Sequence, residues 1–234
     1  MEMIVEAIVR NKQEALEAEK AGIDRLELVS NIQLDGLTPN VDVTKEVLNT
    51  VNIPVQVMIR PHNHGFFYLE DDNDLIKSTV DQMLNIGVRN FVFGALNKNK
   101  TIDETLITEI LSMDSDIRIT FHRAFDYSRD LEESYRILTK YSYGVERILT
   151  SGGAETCVDG QEKIKKLMKM STNVKGPIIM PGSGLDKTNF MSFHQEVRAS
   201  EYHFGKGVRH NQSYSGNFNQ AFIHSVKNVN IFEI

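Results

Sequence analysis

Cysteine is almost absent from this sequence of 234 residues, with Cys157 as its only instance. A lone cysteine excludes an internal disulfide framework and fits a reducing compartment. No apolar run approaches the roughly 20 residues that a membrane span needs, and residues 1–6 lack the basic and apolar parts of a signal peptide. The cytoplasm is therefore the expected location. Basic residues are also few, since 26 Lys and Arg against 32 Asp and Glu give a net charge of −6, which disfavours extended contact with nucleic acid.

Short apolar runs alternate with amphipathic stretches along the whole chain. Eight runs are predicted as strands: 4–8, 25–29, 55–60, 90–94, 117–123, 145–150, 177–180 and 201–204. Strands that alternate with helices indicate right-handed crossovers and a parallel sheet, and eight such units close into a TIM barrel. We therefore predict one α/β domain over residues 1–234, a (β/α)8 TIM barrel. A doubly wound open sheet is the alternative.

The last unit differs from the others. Residues 205–219 are polar and contain glycine, and only a few apolar residues follow at helical spacing. We interpret this segment as a rim loop followed by an abbreviated eighth helix.

Ionisable residues occupy positions whose side chains should face the barrel lumen, because alternate side chains of a barrel strand point inward. We interpret Arg25, Arg118 and Glu201, early in their strands, as structural ion-pair partners. Barrel active sites are built at the carboxyl ends of the strands. The candidate catalytic residues at these ends are Glu6, Glu27, Arg60, His122, Arg123 and Asp126.

The densest cluster is His122, Arg123 and Asp126, which could supply a general base, an anion clamp and an orienting carboxylate. Alternatively, Asp126 only caps the following helix and pairs with Arg123.

Glycine-containing loops follow the sixth, seventh and eighth strands. The last two of these loops often form a phosphate site in barrels, where backbone N–H groups face the anion. The candidate anion-binding residues are Ser151, Gly152, Gly182, Ser183, Gly184, Gly205 and Lys206. Alternatively, these glycines only permit tight turns.

Taken together, six segments in order resemble the CutC family. They are residues 22–28 (GIDRLEL), 36–39 (GLTP), 58–61 (MIRP), 120–126 (TFHRAFD), 147–152 (RILTSG) and 178–184 (IIMPGSG). The resemblance implies a cytoplasmic TIM barrel with a role in copper homeostasis and a bound copper ion.

The chain departs from the family where some members carry cysteines, at the ends of the first two strands. Residues 7–9 (AIV) and Val29 stand there instead. Cu(I) prefers thiolate and thioether ligands, and the remaining soft or borderline donors are Met58, Met180, Cys157, His122 and His203. Of these, His122 and His203 are the candidate metal ligands, and Cys157 is interpreted as an incidental thiol.

Two functions therefore remain open. One is a copper-binding protein of copper homeostasis, as the resemblance implies. The other is an enzyme that acts on a small anionic or phosphorylated metabolite at the rim of the barrel, which the arginines and carboxylates of the strand ends favour. A homo-oligomer is compatible with either function.

Overall fold

Eight parallel strands alternate with eight helices in the computed structural model, which describes residues 3–229. The strands are β1 (Ile4–Val9), β2 (Arg25–Leu28), β3 (Val55–Met58), β4 (Asn90–Phe93), β5 (Arg118–Phe121), β6 (Val145–Thr150), β7 (Ile178–Pro181) and β8 (Glu201–Phe204). The helices are α1 (Lys12–Ala21), α2 (Val41–Leu48), α3 (Glu70–Asn85), α4 (Glu104–Met113), α5 (Leu131–Thr139), α6 (Gln161–Val174), α7 (Phe190–Val197) and α8 (Gln220–Lys227).

The strand order confirms the predicted TIM barrel. Strands β1 to β7 pair in sequence order, and β8 pairs with the free side of β1. Strands β7 and β8 contact each other without a hydrogen-bonded ladder between them, so the barrel is nearly closed. A doubly wound sheet would reverse its strand order at an internal switch point, and no such reversal occurs among the described strands.

Local sequence signals explain where several helices begin and end. The side chain of Asn11 accepts a hydrogen bond from the backbone N–H of Glu14 at the start of α1, and Asp130 accepts two such bonds at the start of α5. These caps satisfy backbone donors that have no partner within the helix. Helix α1 ends at Gly22, whose φ of 94° is favourable only for glycine.

Six of the eight predicted strands differ from the observed ones by one or two residues at an end. Strand β5 ends at Phe121 rather than at residue 123, because His122 leads into a 3-10 helix over Arg123–Tyr127. The eighth helix is short, as predicted, with eight residues, but α2 and α7 have the same length.

The hydrophobic core lies between the strands and the surrounding helices. The outward-facing side chains of the strands, such as Leu26 and Leu28 of β2, are fully buried in it. Their neighbours Arg25 and Glu27 face the lumen, where they are buried as well. Because of this alternation, the polar side chains of the strands lie inside the barrel, close to its axis. Within residues 3–229 we find no helix with the length and apolar character needed to cross a membrane.

Candidate functional site

A cavity of about 940 Å³ opens at the carboxyl ends of the strands. Strand side chains form its floor, among them Glu27, Met58, Leu149 and His203, and βα loops form its walls. Its volume is within the range of small-molecule sites. The predicted site residues that line it are Glu27, Arg60, His122, Arg123, Ser183, Gly184, His203, Gly205 and Lys206. The others, Glu6, Asp126, Ser151, Gly152 and Gly182, lie outside its lining.

Beneath the floor, Glu6 is completely buried in the lumen. It pairs with Arg25, and its Oε1 lies 2.8 Å from Nδ1 of His203. Register explains both contacts, because Glu6 of β1 is level with Arg25 of β2 and with His203 of β8. Burial alone would raise the pKa of Glu6, but Arg25 and His203 outweigh it and hold the pKa at about 2.

The same network continues across the lumen through Glu201. Its carboxylate accepts hydrogen bonds from Arg25 and, at 3.0 Å, from Nε of Arg147. The lumen thus contains three buried carboxylates, those of Glu6, Glu201 and Glu27, facing the two arginines. Isolated buried charges are prohibitively costly, so this pairing is a condition for the fold.

At the floor itself, Glu27 and His203 form a pair. Oε2 of Glu27 lies 3.9 Å from Nε2 of His203, and Oε1 of Glu27 has no hydrogen-bond partner in the described part of the chain. Burial raises the pKa of Glu27 to about 7, against the attraction of His203. Burial lowers the pKa of His203, but Glu27 and Glu6 reverse this and leave it raised. The charges of Glu6, Glu27, Glu201, Arg25, Arg147 and His203 balance when one titratable proton is shared by Glu27 and His203.

Arg60 is the most unusual cation of the pocket. It is only 7% exposed, and its Nη1 donates to the backbone carbonyls of Leu34, Asp35 and Gly36 at 3.1–3.3 Å. Its Nε is buried without a partner, and no carboxylate of residues 3–229 forms a salt bridge with it. Carbonyl dipoles compensate part of the charge but supply no counter-ion. A buried guanidinium group without a carboxylate partner has the charge and the donor geometry to bind an anion.

His122 lies beside Arg60 and is equally buried. Its Nδ1 accepts a hydrogen bond of 3.1 Å from the backbone N–H of Ala124. Burial and then Arg60 lower the pKa of His122 to about 3, so the ring is neutral. With Nδ1 acting as acceptor, the ring proton is on Nε2, which has no partner among the described residues. His122 therefore lines the pocket with a buried donor that has no acceptor among the described residues. Gly94 makes room for it, because a Cβ at that position would lie 2.6 Å from Nδ1 of His122.

Arg123 and Asp126 form a salt bridge, and both also make hydrogen bonds to neighbouring loops. The Nε of Arg123 donates to Asp126 at 2.8 Å, and its two terminal nitrogens donate to Ser183 and Ser151. Asp126 also accepts bonds from the backbone N–H groups of Ser151 and Gly153 at 3.0 Å. Asp126 therefore ties the loop after β5 to the end of β6, and it does not cap α5 as the alternative interpretation expected, because Asp130 does so.

The glycine-containing loops divide into two groups. Ser183 and Gly184 after β7 line the pocket together with Gly205 and Lys206 after β8. Gly152 and Gly182 serve packing instead: a Cβ on Gly152 would lie 2.4 Å from the carbonyl oxygen of Gly160, and a Cβ on Gly182 would lie 2.5 Å from Leu149.

The side chains that could bind a metal ion do not all lie together. Glu6, Glu27 and His203 bring one ligand atom each within 4.8 Å of one another, and His122 does not belong to this group. Cys157 is buried outside the pocket lining, and burial raises the pKa of its thiol to about 12, so it is not a thiolate. The thioether of Met180 lies 3.2 Å from Nη2 of Arg25, where a cation is disfavoured.

Several lining residues were not predicted from the sequence. They come from loops: Asp35, Phe66, Phe67, Lys98, Lys100, Tyr127, Asp186 and Tyr214. One signal was available, the consecutive Phe66 and Phe67 in the polar loop after the third strand, where apolar side chains have no predicted core to enter.

The fold and the site define this protein as a (β/α)8 barrel with a pocket at the carboxyl ends of its strands. The family model of CutC matches residues 3–208. The chain belongs to the CutC family, as its resemblance predicted.

Individual relatives agree with this assignment. The human protein named copper homeostasis protein cutC homolog is 34% identical over 201 residues, which cover 86% of this chain and 72% of its own. The family protein CutC of Glaesserella parasuis is 33% identical over 234 residues, covering 99% and 93%. The crystal structure of CutC from Streptococcus agalactiae has a TM-score of 0.79 at 28% identity, covering 87% of this chain and 98% of that one. A phosphoribosylanthranilate isomerase of Thermotoga maritima, at 12% identity and a TM-score of 0.59 over 96% of this chain and 98% of its own, shows the shared barrel fold alone.

Proposed function

We propose that this protein is an enzyme that binds a small anionic metabolite in the barrel pocket and transfers a proton on it. The observation that carries the proposal is Arg60, a buried cation in the pocket lining without a carboxylate partner among the described residues. A buried positive charge is costly unless an opposite charge compensates it. An anion bound there would supply the missing counter-ion.

Neighbouring groups support an anion at the same place. His122 offers the N–H of its Nε2, which lacks an acceptor in the described part of the chain. Lys98, Lys100 and Lys206 line the pocket from two loops and form no salt bridge within residues 3–229. These lysines add long-range attraction for an anion entering from solvent.

The floor supplies a group for proton transfer. Glu27 belongs to the pocket lining, and its buried Oε1 has no hydrogen-bond partner among the described residues. His203 lies on the other side of the same carboxyl group. In the proposed reaction Glu27 takes a proton from a C–H or O–H group of the ligand and returns it to another atom. The neighbouring His203 favours the carboxylate form of Glu27, which is the form that accepts the proton from the ligand.

Anion binding is tested by isothermal titration and by thermal shift with phosphate, sulfate and small carboxylates. Each charge-assisted hydrogen bond contributes roughly 1.5–3 kcal/mol, so Arg60→Met should weaken the affinity by at least about tenfold. Arg60→Lys should restore it only in part, because an ammonium group cannot make a bidentate contact. Arg118→Met is the matched control, since Arg118 begins β5 at the opposite end of the barrel and is absent from the pocket lining. If no anion stabilises the wild-type protein, the proposal is wrong.

Proton transfer is tested separately, by NMR in D₂O with pyruvate and dihydroxyacetone phosphate as probes. The wild-type protein should accelerate the loss of their exchangeable C–H signals, and Glu27→Gln should abolish this exchange without weakening phosphate binding. Exchange that continues undiminished in Glu27→Gln would remove Glu27 from the mechanism.

Copper binding is the second candidate function, favoured by the grouping of Glu6, Glu27 and His203 and by the names of the relatives. Two carboxylates and an imidazole suit a divalent ion such as Cu(II) rather than Cu(I). The fit is incomplete, because both oxygens of Glu6 are already engaged, by Arg25 and by His203. Titration with Cu(II) and with Cu(I) against competing chelators decides it. Tight Cu(II) binding that is lost in Glu27→Gln would support a metal site at the floor. We further propose a cytoplasmic location, because a free thiol fits a reducing compartment.

A further inference from the structure

Three aromatic side chains stand together on one side of the pocket and form what we call the aromatic wall: Phe66, Phe67 and Tyr127. Phe66 and Phe67 belong to the loop between β3 and α3, and Tyr127 ends the 3-10 helix after β5. All three line the pocket. The wall is therefore assembled from two loops of one half of the barrel.

Two members of the aromatic wall are largely open to solvent. Phe67 is 50% exposed and Tyr127 is 61% exposed. Aromatic side chains gain most from burial among the residue types, and an exposed cluster of them inside a pocket indicates a surface that a ligand covers. Half-exposed apolar residues elsewhere, such as Leu69, lie outside the pocket lining and need no such explanation.

The aromatic wall adjoins the anion-binding arginine. The guanidinium carbon of Arg60 lies 5.1 Å from the centre of the Phe66 ring, and the Phe66 ring lies 5.2 Å from that of Tyr127. His122 is also 5.1 Å from Phe66, between centroids. A ligand whose anionic group reaches Arg60 therefore places an attached ring within contact of the wall.

We infer that the ligand of this pocket is an aromatic or heteroaromatic phosphate or carboxylate, with its anionic group at Arg60 and its ring against Phe67 and Tyr127. This inference rests on the anion binding proposed above and adds the nature of the organic group. The lysines Lys98 and Lys100, on the β4–α4 loop, line the same pocket and favour a ligand with net negative charge.

Calorimetry with matched probes tests the inference. Phenyl phosphate should bind about tenfold more tightly than inorganic phosphate or glycerol 2-phosphate, and benzoate about tenfold more tightly than acetate, because a stacked ring adds contact that the plain anions lack. Comparison of the two aromatic probes separates phosphate from carboxylate as the preferred anion.

Variants of the wall should act on the aromatic probes alone. Phe67→Ala and Tyr127→Ala should each weaken the binding of phenyl phosphate by about threefold and leave that of inorganic phosphate unchanged. The matched controls are Leu69→Ala and Tyr143→Ala, since both residues are 64–65% exposed and neither lines the pocket. These four residues lie at the surface, so their variants are expected to fold.

A fluorescent reporter gives a second measurement. The chain contains no tryptophan, so Phe67→Trp introduces a single indole into the wall while it keeps an aromatic surface. Phenyl phosphate should quench its emission, inorganic phosphate should do so much less, and Leu69→Trp should respond to neither.

The outcomes separate the two proposals. If inorganic phosphate and acetate bind as tightly as their aromatic counterparts, the aromatic inference is wrong and anion binding stands. If phenyl phosphate binds but neither Phe67→Ala nor Tyr127→Ala weakens its binding, the ring lies elsewhere and the inference is again overturned. If neither class of anion binds, the function proposed for Arg60 fails first.

Discussion

Replacing Glu27 by glutamine should make the protein more stable at alkaline pH. The pKa of Glu27 is raised from 4.5 to about 7 in the folded protein, mainly by burial. Between these two values the unfolded chain loses its proton while the folded protein keeps it, so stability falls as the pH rises from about 4.5 to 7 and stays reduced above. The resulting loss in the free energy of unfolding is about 3 kcal/mol at pH 8.5.

Glutamine resembles the protonated carboxyl group in shape and cannot ionise, so Glu27→Gln avoids this loss. The free energy of unfolding from urea denaturation should match that of the wild-type protein at pH 4.5 and exceed it by up to about 3 kcal/mol at pH 8.5. A difference that does not grow between these pH values would refute the assignment of a high pKa to Glu27.

Glu6 provides the matched control, with the opposite sign. Its pKa is held at about 2 because Arg25 and His203 outweigh the effect of burial. Glu6→Gln removes a paired charge and leaves Arg25 partly uncompensated, which should cost about 3–5 kcal/mol at neutral pH. Its stabilising contribution is present above pH 4.5 and is lost as the pH falls towards 2.

Two further outcomes follow from groups outside the pocket lining. Asp126→Asn should lower the free energy of unfolding by about 2–4 kcal/mol, because an amide nitrogen would then face N–H and O–H donors. Urea denaturation measures this loss. An unchanged denaturation midpoint would contradict the role of Asp126 in joining the two loops. Cys157→Ser should change the affinity for Cu(I) by less than about twofold, since the buried thiol is not a thiolate. A large loss of Cu(I) affinity, measured by competition with a chelator, would instead identify a Cu(I) site at Cys157.

The sequence predicted the barrel because its two periodicities are regular: alternating side chains in eight short strands, and helical stripes between them. The same alternation places Glu27 and His203 in the lumen. It also explains why Arg25 and Glu201 are ion-paired with each other, since their side chains belong to the inward set of β2 and β8.

Contacts that depend on loop conformation could not be predicted in this way. The sequence left open whether Arg123 clamps an anion or pairs with Asp126. In the structure Asp126, Ser151 and Ser183 all accept hydrogen bonds from it, the two serines from two other loops. Periodicity says nothing about such loops, because their paths depend on local turns and on what packs beneath them. For the same reason nothing in the sequence indicated that Tyr127 faces the same pocket as Phe67.

The buried charges of the lumen also govern how this barrel can change over evolutionary time. Loss of Arg25 alone would leave Glu6 and Glu201 short of a counter-charge, and loss of either glutamate alone would leave arginine in excess. Descendants that keep the fold must therefore alter these positions in compensating pairs. We expect Glu6, Arg25, Arg147 and Glu201 to be inherited as a set, while loop residues of the pocket wall diverge one at a time as lineages adopt different ligands.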